Sequence, residues 1–476
     1  MAGFCVVWAL FWLAGSATVS TSTTAFAGGE AVVMDARSVV AVTDNDFVCA
    51  TLDWWLPENS FLKPNTLLIL SYLQNLSNRI LVNTVKAFSP LKLRLGGSLQ
   101  DMYDTGDARQ PSCAPFAKNA SAMFGFSQGC LPLRRWDELN AFFQRTGAKI
   151  VFGLNALNGR VPMPDGSLGG VRAGNELSGS GVGARVDADQ YAADVIALKR
   201  IIDSTYHQSS SPAKPLVLAP GGFFDAAWFT ELVGKTKPEQ MDVITHHIYN
   251  LGPGVDDHLV QKILDPSYLD GEASTFSDLE GILRSAGTST VAWVGEAGGA
   301  YNSGRHLPHD WYLDQLGMSS KYGTKSYCRQ TLVGGNYGLL NTTTFEPNPD
   351  YYNALLWHRL MGTKVLSATF NGTNKIRAYA HCAKRSGPLL LINLDGNSTN
   401  RIHVTSQGAQ AQSARRERAG GRLLLATREE YHLAPKDGDL QSQQVLLNGH
   451  VLATDADGDI PELEPVRVDG TQPVTV

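Results

Sequence analysis

Two short motifs carry glutamates whose type and setting suit the cleavage of a glycosidic bond. The first is GNELSG, with Glu176 at its centre, and the second is WVGEAG, which contains Glu296. Glycoside cleavage needs two facing carboxyl groups. One gives a proton to the leaving oxygen, and the other is ionised and attacks the anomeric carbon or activates water. The two glutamates are therefore candidates for such a pair.

Glu296 has a more telling setting than most acidic residues. A glutamate is usually a solvated or helix-capping side chain. Glu296 instead ends the apolar run TVAWVG, and the strands of a β/α barrel present their functional side chains at their carboxyl ends. Composition and spacing alone predict a β/α barrel in which hydrolase chemistry is possible, and nothing more specific.

The elements that would position these glutamates recur along most of the chain. Continuous apolar and β-branched runs, typical of strands buried on both faces, cover residues 47–55, 91–97, 148–157, 215–222, 241–249, 290–298 and 330–340. Helical patterns lie between several of them, as at residues 133–146 and 189–205. Alternating strands and helices predict a parallel sheet, either closed into a barrel or open.

The pattern changes from about Gly362. Short strand-like runs joined by Gly, Asn and Asp turns follow, without helical patterns between them, at residues 364–370, 376–381, 388–393, 423–426 and 444–447. This pattern is typical of a β-sandwich. Residues 30–42 also predict strand structure ahead of the barrel. We therefore expect N-terminal strands within 28–46 that join the sandwich, a catalytic barrel over 47–361 and a sandwich over 362–476.

The N-terminus predicts export from the cytoplasm. The first 27 residues hold no charged side chain, contain an apolar run at 4–14 and end in Ala25-Phe26-Ala27, which fits the rule for signal cleavage. The run is too short to span a bilayer. We predict a signal peptide over 1–27, no integral membrane segment after its removal, and delivery to the extracellular space or cell wall, or to a vacuole or lysosome. Five glycosylation sequons favour this route: Asn75, Asn119, Asn341, Asn371 and Asn397.

The cysteines also suit an oxidising compartment. Removal of the leader would leave five of them, so at least one must stay unpaired. Cys113 and Cys130 lie in a loop-like stretch and are a plausible disulfide. The sequence leaves the pairing of Cys49, Cys328 and Cys382 open.

Charge and composition exclude several classes of partner and cofactor. The net charge is −5, with 18% charged residues, which argues against a nucleic-acid-binding surface. No C-x-x-C pair exists, and His246-His247 has no acidic or histidine partner at ligand spacing in the sequence. We expect a monomer with no metal and no cofactor.

Longer stretches of the chain resemble the heparanase-like glycoside hydrolases of family 79, particularly the plant heparanase-like proteins. The resemblance covers nearly the whole chain after the leader. Its most specific stretches are FVCATLDWWLPENS, LKLRLGGSLQD, GNELSGSGVG, ITHHIYNLGPG, VGEAGGAYNSG and the block from YCRQTLVGGNYG to HRLMGTKVL. It implies a (β/α)8 barrel with a C-terminal β-sandwich. It also implies a retaining hydrolase that cleaves β-linked glucuronic acid in polysaccharides, proteoglycans or glucuronides.

The resemblance also implies roles for individual residues. Glu176 would be the acid/base and Glu296 the nucleophile. Asn175 would bind the substrate 2-hydroxyl, Tyr249 would orient the nucleophile, and Arg94 could keep it ionised by its opposite charge. The remaining implied substrate contacts are Asp53 and Ser98 on the first two strands, together with Tyr301, Asn302, Ser303 and Tyr337 around the uronate carboxylate.

The chain departs from the family pattern just before Glu176. Only 18 residues separate Leu157 from Glu176, whereas a strand–helix–strand unit needs about 30. We expect the third helix and most of the fourth strand to be absent, through an altered splice form or a faulty gene model. The link that remains could pair weakly beside the third strand.

This departure keeps two alternatives open. One is a catalytically impaired, carbohydrate-binding or misfolded variant. The other is a barrel glycosidase of a sister family, such as an arabinofuranosidase, although the match of the uronate loop argues against it.

Overall fold

The fold combines a curled parallel sheet with a long, mostly antiparallel one. The structure is a computed structural model that describes residues 6–12, 29–53, 76–97, 100, 103–105, 121, 129–131, 133–155, 161–162, 168–169, 175–178, 185–207, 214–237, 241–301, 310–334, 337–383, 386–407 and 427–476. None of the helices in these ranges is both long and apolar enough to cross a lipid bilayer.

Strands outnumber helices in the described residues. The strands are β1 Val6–Trp12, β2 Ala31–Val42, β3 Val48–Asp53, β4 Lys92–Gly96, β5 Tyr103–Thr105, β6 Gly129–Leu131, β7 Lys149–Phe152, β8 Val161–Pro162, β9 Leu168–Gly169, β10 Leu218–Phe223, β11 Val243–Ile248, β12 Gly252–Pro253, β13 Val291–Ala297, β14 Ala300–Tyr301, β15 Ser326–Arg329, β16 Lys364–Phe370, β17 Ile376–Cys382, β18 Ser386–Asn393, β19 Arg401–Gln407, β20 Thr427–Pro435, β21 Val445–Leu447, β22 His450–Val451, β23 Val466–Asp469 and β24 Val474–Thr475. The helices are α1 Arg79–Lys86, α2 Leu133–Thr146, α3 Ala188–His207, α4 Ala226–Lys235, α5 Leu259–Ile263, α6 Pro266–Asp270, α7 Ala273–Ala286, α8 Asp310–Lys321 and α9 Pro349–Leu360.

The predicted barrel strands form one parallel sheet of seven strands. Its order is β10-β11-β13-β15-β3-β4-β7, so the first barrel strand, β3, pairs with the last, β15. Every residue of β4 and of β11 is buried. Burial on both faces explains why these strands are continuous apolar runs rather than alternating ones. The sheet is a curled half-barrel with its helices on the outside.

The curled sheet stays open between β7 and β10. Among the described residues, β7 pairs with β4 alone and β10 pairs with β11 alone. Between β7 and α3 the described chain forms a two-residue antiparallel pair, β8 with β9, and no helix. The opening lies where the sequence predicts the missing helix and strand.

The apolar core divides in the same way. One cluster surrounds β3, β4 and β15 and includes Leu93 and Tyr327. A second cluster surrounds β10, α3 and α4 and includes Tyr191, Trp228 and Phe229. The two clusters are the two halves that a continuous barrel wall would join.

The C-terminal strands form the second large sheet, which packs against the barrel. Its order is β22-β21-β20-β1-β18-β17-β16-β2-β19-β24, with β23 beside β20. Leu390 and Ile392 of β18 belong to the barrel cluster, whereas the alternate residues Leu389 and Leu391 belong to a third cluster. One face of the sheet therefore packs on the barrel helices, and the other builds a core of its own.

The two N-terminal strands also lie in this second sheet. Strand β2 pairs with β16 and β19. Strand β1, within the segment predicted to be a leader, runs antiparallel between β18 and β20. Cleavage of the leader therefore remains a prediction, and it would remove a strand that pairs on both sides.

A disulfide joins the first and last barrel strands. Cys49 and Cys328 lie opposite each other in β3 and β15 and are bonded at an S–S distance of 2.07 Å. Cys382 is free. The pair predicted from the sequence, Cys113 and Cys130, lies outside the described side chains.

Candidate active site

Glu296 lies buried near the carboxyl end of β13, with a hydrogen-bond donor on each carboxylate oxygen. The Tyr249 hydroxyl donates to Oε1 at 2.6 Å, and Arg94 Nη1 donates to Oε2 at 2.6 Å. Arg94 lies in β4, which is three places from β13 in the order of the sheet, and its side chain is buried too. Charge-assisted bonds of this length fix both the orientation and the charge of a carboxylate.

The surroundings keep Glu296 ionised in spite of its burial. Burial alone would raise the pKa of Glu296. Electrostatic interactions with His247 and Arg94, together with the hydrogen bonds from Tyr249 and Arg94, outweigh that effect and hold the pKa of Glu296 below its ordinary value of 4.5. An ionised, desolvated carboxylate is the form that can act as a nucleophile.

Arg94 also connects the two sequence motifs. Its second terminal nitrogen, Nη2, donates to Oδ1 of Asn175 at 2.6 Å, so one guanidinium binds Glu296 and the neighbour of Glu176 together. The planar fork of arginine suits this double contact, and lysine could not make both bonds in one geometry.

Glu176 reaches the site from a turn rather than from a strand. Its backbone N–H donates to the Gly221 carbonyl at 2.6 Å, and the Ser178 hydroxyl donates to the Phe223 carbonyl at 3.3 Å. A Cβ on Gly222 would lie 2.5 Å from the Ser178 hydroxyl, so glycine permits this close approach. The link could have paired weakly beside the third barrel strand, β7, but its described residues, 175–178, contact β10 instead.

The turn imposes an uncommon backbone on Glu176. Its φ is +58°, in the left-handed region that β-carbon-bearing residues seldom adopt. Strain of this kind costs about 1–2 kcal/mol and persists where surrounding contacts fix the residue. The bonds from Arg94 to Asn175 and from Glu176 to Gly221 are such contacts.

His247 is the site residue that the sequence analysis missed. Its Nδ1 lies 2.9 Å from Glu176 Oε1 and 3.9 Å from Glu296 Oε2. The sequence offers no acidic partner near the histidine pair, but β11 pairs with β13 so that His247 lies opposite Glu296. One signal in the sequence could have predicted this role for His247. It is a polar residue near the carboxyl end of one apolar strand, and the next strand of the sheet carries a glutamate at the same end.

The two carboxylates are close enough for direct covalent catalysis. One oxygen of Glu176, one of Glu296 and a ring nitrogen of His247 all lie within 4.8 Å of one another. Retaining glycosidases hold their carboxyl groups about 5–5.5 Å apart, whereas inverting enzymes leave about 6.5–9.5 Å for a water molecule. The spacing therefore suits a retaining mechanism.

The same three groups could ligate a cation. However, Arg94 and Tyr249 already bind both oxygens of Glu296. The expectation of no metal stays a prediction.

The predicted uronate contacts are described only in part. Tyr337 is half-buried, and its backbone carbonyl accepts a bond from Arg329 Nη2 at 3.1 Å. Tyr301 ends β14, which pairs with β12, and Asp53 ends β3 opposite Gly96, but the side chains of both lie outside the described structure. Ser98, Asn302 and Ser303 lie outside the described residues.

The five predicted glycosylation sites are also described only in part. Asn371 and Asn397 are exposed, and Asn341 is half-buried with Oδ1 accepting the N–H groups of Thr343 and Thr344. Asn75 and Asn119 lie outside the described residues. Glycosylation stays a prediction at all five sites.

Tyr249→Phe tests whether the hydrogen bond from Tyr249 lowers the pKa of Glu296. Without the hydroxyl donor the pKa of Glu296 should rise, so the acidic limb of the kcat/KM profile should move to higher pH. We expect kcat/KM at the optimum to fall by about 10-fold to 100-fold, the order of loss from a small misplacement of a reacting group. The control is Tyr268→Phe, at an exposed tyrosine whose hydroxyl donates to the Asn250 carbonyl. An unshifted acidic limb in Tyr249→Phe would contradict the assignment.

Comparisons with known proteins show which family the chain is similar to. The family model described as "Glycosyl hydrolase family 79, N-terminal domain" matches residues 29–173 and 170–317. "Heparanase-like protein 3" of Arabidopsis thaliana is 50% identical, over 92% of this chain and 90% of that protein. "Baicalin-beta-D-glucuronidase" of Scutellaria baicalensis is 40% identical, over 94% of this chain and 90% of that protein.

The fold has a more distant counterpart among solved structures. The GH51 arabinofuranosidase of Xanthomonas axonopodis pv. citri superposes with a TM-score of 0.62 over 93% of this chain and 98% of that one, at 16% identity. An identity this low shows a shared fold alone. It does not favour the sister-family alternative over the relatives of 40% and 50% identity.

The alignments also agree with a missing segment, and they settle the family. The match to the Arabidopsis protein spans 484 positions, but 92% of this 476-residue chain is about 438 residues, so about 46 positions have no counterpart here. The family match divides at 170–173, just ahead of Glu176. Because this model matches more than half of the chain and close relatives align over most of it, the chain belongs to glycosyl hydrolase family 79.

Proposed function

We propose that this chain is a retaining β-glucuronidase that cleaves β-linked glucuronic acid in polysaccharides, proteoglycans or glucuronides. The observation that carries the proposal is the pair of carboxylates, with oxygens of Glu176 and Glu296 within 4.8 Å of each other. Membership of family 79 supports the reaction class. The names of the relatives, which include a β-D-glucuronidase, support the substrate class.

In the first step Glu296 is the nucleophile and Glu176 the acid. A carboxylate oxygen of Glu296 attacks the anomeric carbon and forms an ester to the sugar. The bond from that carbon to the leaving oxygen breaks, and the proton of Glu176 goes to the leaving group. His247 Nδ1, at 2.9 Å, orients the Glu176 carboxyl group during this transfer.

In the second step water releases the sugar. Glu176, now ionised, takes a proton from water, whose oxygen attacks the same carbon as the ester to Glu296 breaks. Two displacements restore the original configuration, so the released sugar is the β anomer. Glu176 ends the cycle protonated and Glu296 ionised.

Asn175 contributes to the transition state through the sugar 2-hydroxyl. Arg94 binds its Oδ1 and so fixes the plane of the amide. That orientation makes the amide nitrogen the donor to the hydroxyl, a bond that strengthens as charge develops on the sugar ring.

The uronate carboxylate defines the substrate class. We assign it to Tyr301, Asn302, Ser303 and Tyr337, with Asp53 and Ser98 as further sugar contacts. Tyr301 and Tyr337 follow β13 and β15, the strand of the nucleophile and its neighbour in the sheet. Residues there lie beyond the carboxyl ends of the strands, where barrel enzymes bind their substrates.

Substrate preference and product configuration test the proposal together. An aryl β-glucuronide should be hydrolysed at least about 100-fold more efficiently than the matching β-glucoside, since loss of a charged partner leaves the carboxylate site unsatisfied. Proton NMR should detect the β anomer of glucuronic acid before mutarotation. Preference for the glucoside would refute the substrate class, and an α product would refute the retaining mechanism.

The remaining features complete the proposal. We propose that the C-terminal sheet closes as a β-sandwich over 362–476 with the strands within 28–46, that the barrel spans 47–361, and that the protein is a secreted, glycosylated monomer. N-terminal sequencing of secreted protein should begin at Gly28. A product that retains residues 1–27, with β1 in the sheet, would contradict the assignment of a leader.

A further inference from the structure

Arg329 is a buried cation that takes no part in the reaction steps described above. It ends β15, next to Cys328, whose side chain bonds Cys49 inside the sheet, so Arg329 points to the opposite side, under the outer helices. The residue is 1% exposed. Its guanidinium carbon lies 5.4 Å from the ring centre of Trp311 and 5.5 Å from that of Tyr312.

The Arg329 guanidinium connects three separate segments. Nη2 donates to Asp350 Oδ2 in the first turn of α9 at 3.0 Å and to the Tyr337 carbonyl at 3.1 Å. Nη1 donates to the Gln330 carbonyl and lies 3.5 Å from the Ala297 carbonyl. Ala297 directly follows Glu296. One side chain thus links the end of the nucleophile strand to the loop that carries Tyr337.

Stability alone does not call for arginine at this position. Taking an ion pair out of water is costly, and well-packed apolar residues in its place are often neutral or stabilising. The planar guanidinium of arginine has several N–H donors in a rigid arrangement, so it can hold several acceptors at fixed distances from one another. Glu296 has its own donors in Arg94 and Tyr249, so the geometry that Arg329 sets is that of Tyr337.

We infer that Arg329 is a positioning residue that sets affinity for the uronate by holding Tyr337 at a fixed place relative to Glu296. The inference rests on the proposed function, in which Tyr337 contacts the uronate carboxylate. It predicts that loss of the fork weakens binding of charged substrates and leaves the chemical step largely intact.

The test compares Arg329→Met and Arg329→Lys with the wild-type enzyme on an aryl β-glucuronide and the matching β-glucoside. For Arg329→Met we expect KM for the glucuronide to rise about 10-fold or more, kcat to stay within about 3-fold, and kcat/KM for the glucoside to stay unchanged. Arg329→Lys should fall between Arg329→Met and the wild type. The matched control is Arg377→Met, which removes another mostly buried arginine, paired with Asp314 at 2.7 Å where β17 meets α8. It should leave KM unchanged.

A purely structural role gives a different pattern. Equal losses of kcat on both substrates, with KM unchanged, would overturn the inference. If Arg329→Met does not fold, Arg329→Lys and Asp350→Asn carry the same test, since each keeps a polar group in place. An unchanged glucuronide KM in both would overturn it as well. A wild-type enzyme without preference for the glucuronide would instead refute the proposed function, and the inference with it.

Discussion

Replacing Glu296 by alanine is expected to lower kcat roughly 10⁴-fold or more, the order of loss when a covalent nucleophile is removed. The variant keeps Arg94, Tyr249 and His247 around an empty position, so it should still bind substrate. The measurement is kcat and KM on an aryl β-glucuronide. Ser319→Ala, at a buried side chain of α8 whose hydroxyl donates to the Leu316 carbonyl, is a control for small changes in packing.

Glu176→Ala should behave differently, because its proton matters only to poor leaving groups. A nitrophenolate needs little protonation to depart, so its glucuronide should lose far less in the first step than an alkyl glucuronide does. A loss that is equal for both leaving groups would argue against Glu176 as the acid.

Azide provides a check on the two roles. In Glu296→Ala, azide can enter the space of the missing carboxylate and displace the leaving group once, which gives the α-glucuronosyl azide. In Glu176→Ala, azide can attack the ester to Glu296 in place of water, which gives the β-glucuronosyl azide. Products of opposite configuration would support the assignment, and the reverse pattern would exchange the two roles.

The sequence predicted best those site residues whose position depends on a single strand. The run TVAWVG is buried or half-buried along its length and leads into the buried Glu296, as its continuous apolar character indicates. Arg94 likewise sits in a short strand that is buried throughout. Glu296 is next to last in its strand and Arg94 is the middle residue of its own. In both cases a local pattern predicts a buried strand, and the parallel sheet then brings the two strands together.

Features set by contacts between distant segments could not be predicted in this way. His247 becomes a site residue only because β11 lies beside β13 and Glu176 docks across it. Glu176 reaches the site through the Gly221 carbonyl, a partner that the stretch before it gives no reason to expect. The fork of Arg329 joins segments whose proximity depends on the complete fold. The apolar pattern within one segment carries no information about the distance between side chains of different segments.

Restoring the missing segment should give the largest gain in stability. The outer edges of β7 and β10 have no partner among the described strands. As a result β7 is poorly covered: none of its residues is fully buried, whereas every residue of its neighbour β4 is buried. Near β10, Leu216 is 55% exposed and Ile201 of α3 is 51% exposed. Covering several hundred Å2 of such surface at ~25 cal/mol per Å2 is worth on the order of 10 kcal/mol, comparable to the net stability of a whole domain.

The change is to replace residues 158–173 by the segment of the Arabidopsis relative that aligns there, which we expect to supply the missing helix and strand. An added strand would pair with both open edges, and an added helix would cover the apolar side chains beside them. We expect the midpoint of thermal unfolding to rise by more than about 10 °C, soluble yield to increase, and kcat/KM on a β-glucuronide to increase because Glu176 would follow a paired strand. A linker of the same length rich in glycine and serine is the matched control, since it adds chain without covering either edge. If the unaltered protein unfolds at the same temperature as the restored form and turns over substrate at the same rate, the open edges of β7 and β10 do not destabilise the half-barrel.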